Sequence, residues 1–80
     1  MSRLAELRWQ CRRGKLELDI VLSGFMAQMG GELSDAELDV LTQLLALPDE
    51  ELLDLILGKT TVSDAEQARL VALIAINGRP

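Results

Sequence analysis

The residues able to do chemistry crowd into one stretch: Trp9, Cys11, Arg12, Arg13, Glu17 and Asp19, with Gly14 among the charges. Little of that is catalytic equipment. There is no histidine, so the commonest general base and the commonest metal ligand are both missing. The single cysteine, Cys11, has no partner for an internal disulfide or a Cys-only zinc site. It reads as a reduced thiol that behaves as a small core hydrophobe. A lone carboxylate without a base beside it is no acid–base pair. The glycines fit neither the phosphate-loop nor the dinucleotide fingerprint, and the acids never fall in the order of a calcium loop. One Trp, one Phe and no Tyr leave few platforms for stacking bases. These absences weigh against an enzyme, a metalloprotein and a nucleic-acid reader. What is left is recognition: a tryptophan, arginines, a glycine and acids at close spacing.

Helices must position them. Each periodic segment has helical period, and β-branched residues are few and scattered. The first helix is predicted from about Arg3 to Arg13, with Ser2 as N-cap and Gly14 as its stop. Leu4, Leu7 and Cys11 span about 60° of its wheel at 100° per residue, and Trp9 falls nearly opposite, close to Arg12 and Arg13. A Trp facing away from the core and framed by Arg has the composition of an interface hot spot. The second helix is predicted from about Lys15 to Met29. Leu18, Leu22, Phe25 and Met29 form one apolar face, and Leu16, Ile20, Ser23 and Ala27 a second. Glu17, Gly24 and Gln28 form a polar strip. A helix apolar on two faces belongs in the middle of a fold. Gly30-Gly31 breaks it.

Ser34-Asp35-Ala36-Glu37 is a capping box that starts a third helix, which runs to about Ala46. Pro48 opens a fourth, with Asp49, Glu50 and Glu51 against the positive end of its dipole, and Gly58 stops it. Ser63-Asp64-Ala65-Glu66 reads as a second capping box, starting a fifth helix that runs to about Asn77-Gly78. The expectation is an all-α protein: a compact five-helix bundle with residues 1–80 as a single helical domain.

Charge divides sharply. Residues 1–15 carry Arg3, Arg8, Arg12, Arg13 and Lys15 against Glu6, a balance of +4, while the remainder stands at −9. The first helix could touch DNA, but the −9 of the remainder would repel phosphates over much of the surface, so no nucleic acid is expected. No stretch reaches the roughly 18 apolar residues of a membrane span, and the N-terminus lacks the pattern of a secretory signal. A cytoplasmic location without membrane insertion is expected. At the corner between the first two helices, Arg13 and Glu17 should lie near the surface. Gly14 between them permits a positive φ and a close backbone approach.

The stretch Trp9-Gln10-Cys11-Arg12-Arg13-Gly14-Lys15-Leu16-Glu17-Leu18-Asp19 resembles the signature of the SdhE family, the FAD assembly factors of succinate dehydrogenase. The hallmark R-G-x-x-E stands here as Arg13-Gly14-Lys15-Leu16-Glu17, inside the longer W-x-C-R-R-G-x-x-E-L-D. Phe25 and Asp64-Ala65-Glu66 also fall where the family places such residues. Leu55 stands where the family often has a Trp, and Val62 where a Pro is common. The resemblance implies a five-helix factor, not an enzyme, that binds the flavoprotein subunit of succinate dehydrogenase and of fumarate reductase. It would promote covalent attachment of FAD to a histidine of that subunit. FAD would be the client's cofactor, with none held stably by this chain, which would act as a monomer. By the resemblance, Arg13, Gly14 and Glu17 are the contact triad, with Trp9, Arg12 and Asp19 as neighbours. The same family carries a second description, as an antitoxin. The alternative is therefore a module that binds a toxin or a cytoskeletal partner.

Overall fold

The computed structural model describes residues 2–78 of the chain. Five α-helices follow one another among these residues: α1 (Arg3–Gln10), α2 (Leu16–Met29), α3 (Asp35–Leu45), α4 (Asp49–Ile56) and α5 (Ala65–Asn77). A single 3-10 turn, Gly30–Glu32, links α2 to α3 where the Gly30-Gly31 pair ends the α-helix. The all-α bundle expected from the periodicity is the fold observed.

The helix ends follow from side-chain chemistry. Ser2 caps α1, its Oγ accepting from the Ala5 N–H at 3.1 Å. Ser34 and Glu37 form the reciprocal capping box at α3. The Ser34 N–H, donating to Glu37 Oε1, holds the Glu37 carboxyl below its usual pKa, with the Ser34 side chain and then Arg69 of α5 helping. Behind α4, Gly58 takes a left-handed φ of +79°. The Lys59 N–H reaches back to the Asp54 carbonyl at 2.8 Å and the Gly58 N–H to Leu55 at 3.2 Å, closing a Schellman motif.

Two boundaries differ from expectation. α1 ends at Gln10, not Arg13. Its last turn tightens: the Cys11 N–H is shared between Leu7 and Arg8, and the Arg12 N–H bonds to Trp9 at 3.1 Å. Lys15 is then extended at the N-cap of α2, so Arg12 to Lys15 form a connector. At α5 the N-cap is Asp64 rather than Ser63, with Asp64 Oδ1 accepting from the Glu66 N–H at 2.9 Å. Asp caps as well as Ser does, so the helix starts one residue later than a Ser63 box requires.

The core is continuous across all five helices. Leu18, Leu22 and Phe25 of α2 are fully buried and share one core cluster with Leu41, Leu44, Leu52 and Ile74. The second apolar face expected on α2 is not covered. Leu16 is 68% and Ile20 44% exposed, and Ser23 and Ala27 are exposed with them. α2 therefore lies at one side of the bundle and buries one face, mainly against α5. Gly24, assigned to the polar strip, instead serves a backbone contact. A Cβ there would stand 2.8 Å from the Gly78 carbonyl oxygen, and one on Gly78 would overlap the Val21 carbonyl. Glycine at both positions lets the end of α5 press against α2.

Candidate functional site

The connector between α1 and α2 separates its charged residues onto two sides. Arg13 turns inward, with its side chain 17% exposed. It donates to the Leu45 carbonyl and lies 3.4 Å from Asp49 Oδ1. It thus fastens the α1–α2 connector to the α3–α4 corner. The Leu45 carbonyl belongs to the last turn of α3, where acceptors lack helical partners and cations are favoured. Arg13 was expected near the surface beside Glu17. It lies inside because an acceptor and an acid on other helices reach it first.

Gly14 and Glu17 stay outside. Gly14 is exposed, its φ is not positive, and a Cβ placed on it would meet nothing within 4 Å. The left-handed conformation considered for Gly14 is absent, so neither backbone strain nor internal packing demands a glycine there. Glu17 is exposed in the first turn of α2 and, among the described residues, takes part in no ion pair.

Trp9 projects from α1 and is 70% exposed, away from the core as expected. The Arg12 guanidinium lies 5.7 Å from the centre of its ring, a cation–π pair at the protein surface. Beside them, between α1 and α2, lies a groove of about 350 Å³ lined by Arg8, Arg12, Asp19, Ser23 and Ala27, over Cys11 and Met26. Asp19 Oδ1 is buried there without a hydrogen-bond partner. Arg8 was not singled out from the sequence. Its i,i+4 spacing to Arg12 was the available sign that the two share a side of the connector.

Much of the basic N-terminal charge is already matched. Arg3 pairs with Asp39, Arg13 with Asp49, and Lys15 with Glu50 at 3.8 Å. Among the described residues, Arg8 and Arg12 take no such partner. Neutralising Arg12 should therefore slow association with an acidic partner and reduce its salt dependence, while the melting temperature stays put. Stopped-flow rates between low and physiological ionic strength check this. A rate insensitive to salt would exclude steering.

Cys11 is 1% exposed. Burial pushes its thiol up from 9.0 to about 11, against the pull of Arg13 and with a smaller push from Asp19. It is no nucleophile at neutral pH. The folded chain keeps this proton when the unfolded chain has lost it, so its contribution to stability is complete below pH 9 and is lost as pH rises towards 11. That loss amounts to roughly 2–3 kcal/mol. Urea titrations at pH 8 to 11 should show the decline, and Cys11→Ala, weaker at neutral pH, should flatten it.

Residues 5–77 match the family described as the flavinator of succinate dehydrogenase. The chain belongs to this family. Three relatives named FAD assembly factor SdhE illustrate the kinship. That of Ralstonia nicotianae is 49% identical over 57 residues, covering 71% of this chain and 60% of the relative. That of Coxiella burnetii is 39% identical over 69 residues, 86% of this chain and 84% of the relative. That of Shewanella oneidensis is 35% identical over 79 residues, 99% of this chain and 94% of the relative. In this flavinator-family chain, Trp9, Arg12, Gly14 and Glu17 are exposed around the α1–α2 connector, while Arg13 and Asp19 are partly buried beneath it. No described helix is long and apolar enough to cross a membrane. The described residues contain no cluster of three or more His, Cys, Asp or Glu placed to hold a metal ion.

Proposed function

We propose that this chain is an assembly factor that binds the flavoprotein subunit of succinate dehydrogenase and promotes covalent attachment of FAD to it. The observation that carries the reading is the pairing of Gly14 and Glu17. Both are exposed at the connector, within the residues matched to the flavinator family, and neither has a duty inside the fold. A glycine that packing does not require is suited to the close approach of another backbone. Glu17 offers an acceptor at that point, and Trp9 with Arg12 offers a rigid anchor. Arg13 contributes by fixing the connector, and Asp19 by facing the groove beside it.

The reacting groups in this reading come from the client and its flavin. The chain holds no stable cofactor and is not itself an enzyme; it keeps the client in a competent arrangement, and orientation alone is worth several kcal/mol of barrier. The subunit of fumarate reductase is a second client by the same surface. The chain acts as one domain, as a monomer in the cytoplasm. Purified chain, apo-flavoprotein subunit and FAD provide the test. Covalent flavin should accumulate at least tenfold faster with the chain present than without it. Equal rates, or no complex between chain and subunit, would refute the assembly role.

A further inference from the structure

We infer that the outward face of α2 is a second part of the client interface, which receives an amphipathic helix of the flavoprotein subunit with an acidic edge. This rests on the assembly-factor reading above and extends the contact beyond the connector.

Leu16, Ile20, Ser23 and Ala27 lie within about 60° of one another on the α2 wheel, on the side away from Leu18, Leu22 and Phe25. Leu16 and Ile20 are 68% and 44% exposed, and among the described residues no element covers them. The stripe has the form of a helix-packing ridge. Its first half supplies two bulky apolar side chains. Its second half, Ser23 and Ala27, is small enough for another backbone to come close.

Charge selects the occupant. On the α1 side the ridge is bordered by the groove of Arg8, Arg12 and Asp19; the two arginines take no ion pair among the described residues and outnumber the one acid, which leaves this edge net positive. On the other side stands exposed Glu17. A helix seated on the ridge therefore needs apolar residues at its centre and an acid towards Arg8 and Arg12. A basic or hydrogen-bond-donating edge towards Glu17 completes the match. A second copy of this chain is disfavoured by its net charge of −5. Two other exposed apolar residues, Leu57 at the C-cap of α4 and Ile76 on α5, lack this bordering pattern.

Ile20→Arg, Ala27→Trp and Leu57→Arg separate the possibilities, with melting temperature, sedimentation and affinity for the purified flavoprotein subunit measured for each. All three positions are exposed, so the melts should match the parent. Ile20→Arg, which destroys the apolar centre, and Ala27→Trp, which blocks close approach, should each weaken client binding at least tenfold. Leu57→Arg should bind as the parent does. The inference is overturned if folded Ile20→Arg and Ala27→Trp bind the client normally while Glu17→Ala does not. It is equally overturned if the parent sediments as a dimer that Ile20→Arg dissolves with client binding unchanged. Failure of the assembly-factor reading looks different, because then the unmutated chain fails to bind the subunit or to speed flavin attachment.

Discussion

Phe25→Ala will remove a quarter or more of this chain's total stability. Phe25 is the largest fully buried side chain and belongs, on α2, to the core cluster that holds Leu18, Leu22, Leu41 and Ile74. Truncating a buried Phe removes its transfer free energy and leaves a cavity, at a cost of about 3–5 kcal/mol. A chain of 80 residues has only about 4–12 kcal/mol in total. The loss is felt beyond α2, because the buried face of this helix meets α4 and α5. Urea titration followed by helical circular dichroism should show the midpoint fall by a quarter or more. A parental midpoint would show that Phe25 is not central to the packing.

Glu17→Ala and Gly14→Val should behave in the opposite way, with parental stability and a loss of client flavinylation of tenfold or more. Glu17 is exposed without an ion pair among the described residues, so its removal should cost no more than about 0.5 kcal/mol. Gly14 has open space where a Cβ would go and no positive φ, so valine can be built without strain. Arg13→Ala is the contrast within the same motif. Arg13 holds Leu45 and Asp49 from a half-buried position, and its loss should cost about 1–3 kcal/mol by leaving those acceptors unmatched. Arg13→Lys should recover only part, since one ammonium cannot span both partners as a guanidinium fork does. Thermal melts of the four variants, set beside covalent flavin on the client, divide contact from scaffold. Destabilisation by Glu17→Ala or Gly14→Val equal to that of Arg13→Ala would contradict the division.

The parts that were legible in the sequence are those fixed by local chemistry. Ser2, the Ser34–Glu37 box and Gly58 act on their own helix ends, and the structure places them as read. The same holds for the inward Cys11 and the outward Trp9, whose positions follow from helical spacing on α1. What was not legible depends on neighbours. Leu16 and Ile20 have core composition, yet exposure is decided by whether another helix covers them, and none of the described helices does. Arg13 and Glu17 share an i,i+4 spacing, yet Arg13 answers to Asp49 and Leu45 across the fold. Gly24 has the look of a solvent position, and only the arrival of Gly78 gives it a task. The candidate site was therefore readable as a stretch of chain but not as a surface. The separation of Arg13 from Gly14 and Glu17 is a tertiary fact.

The most direct measurement of the central claim is covalent flavin per flavoprotein subunit, read by fluorescence after denaturing electrophoresis from cells lacking this gene. The cells carry no replacement, the unmutated chain, or Gly14→Val. Bright flavin is expected only with the unmutated chain, although Gly14→Val is present and melts at the parental temperature. Full fluorescence in cells with no replacement would contradict the assembly role, and full fluorescence with Gly14→Val would contradict the connector as its contact point.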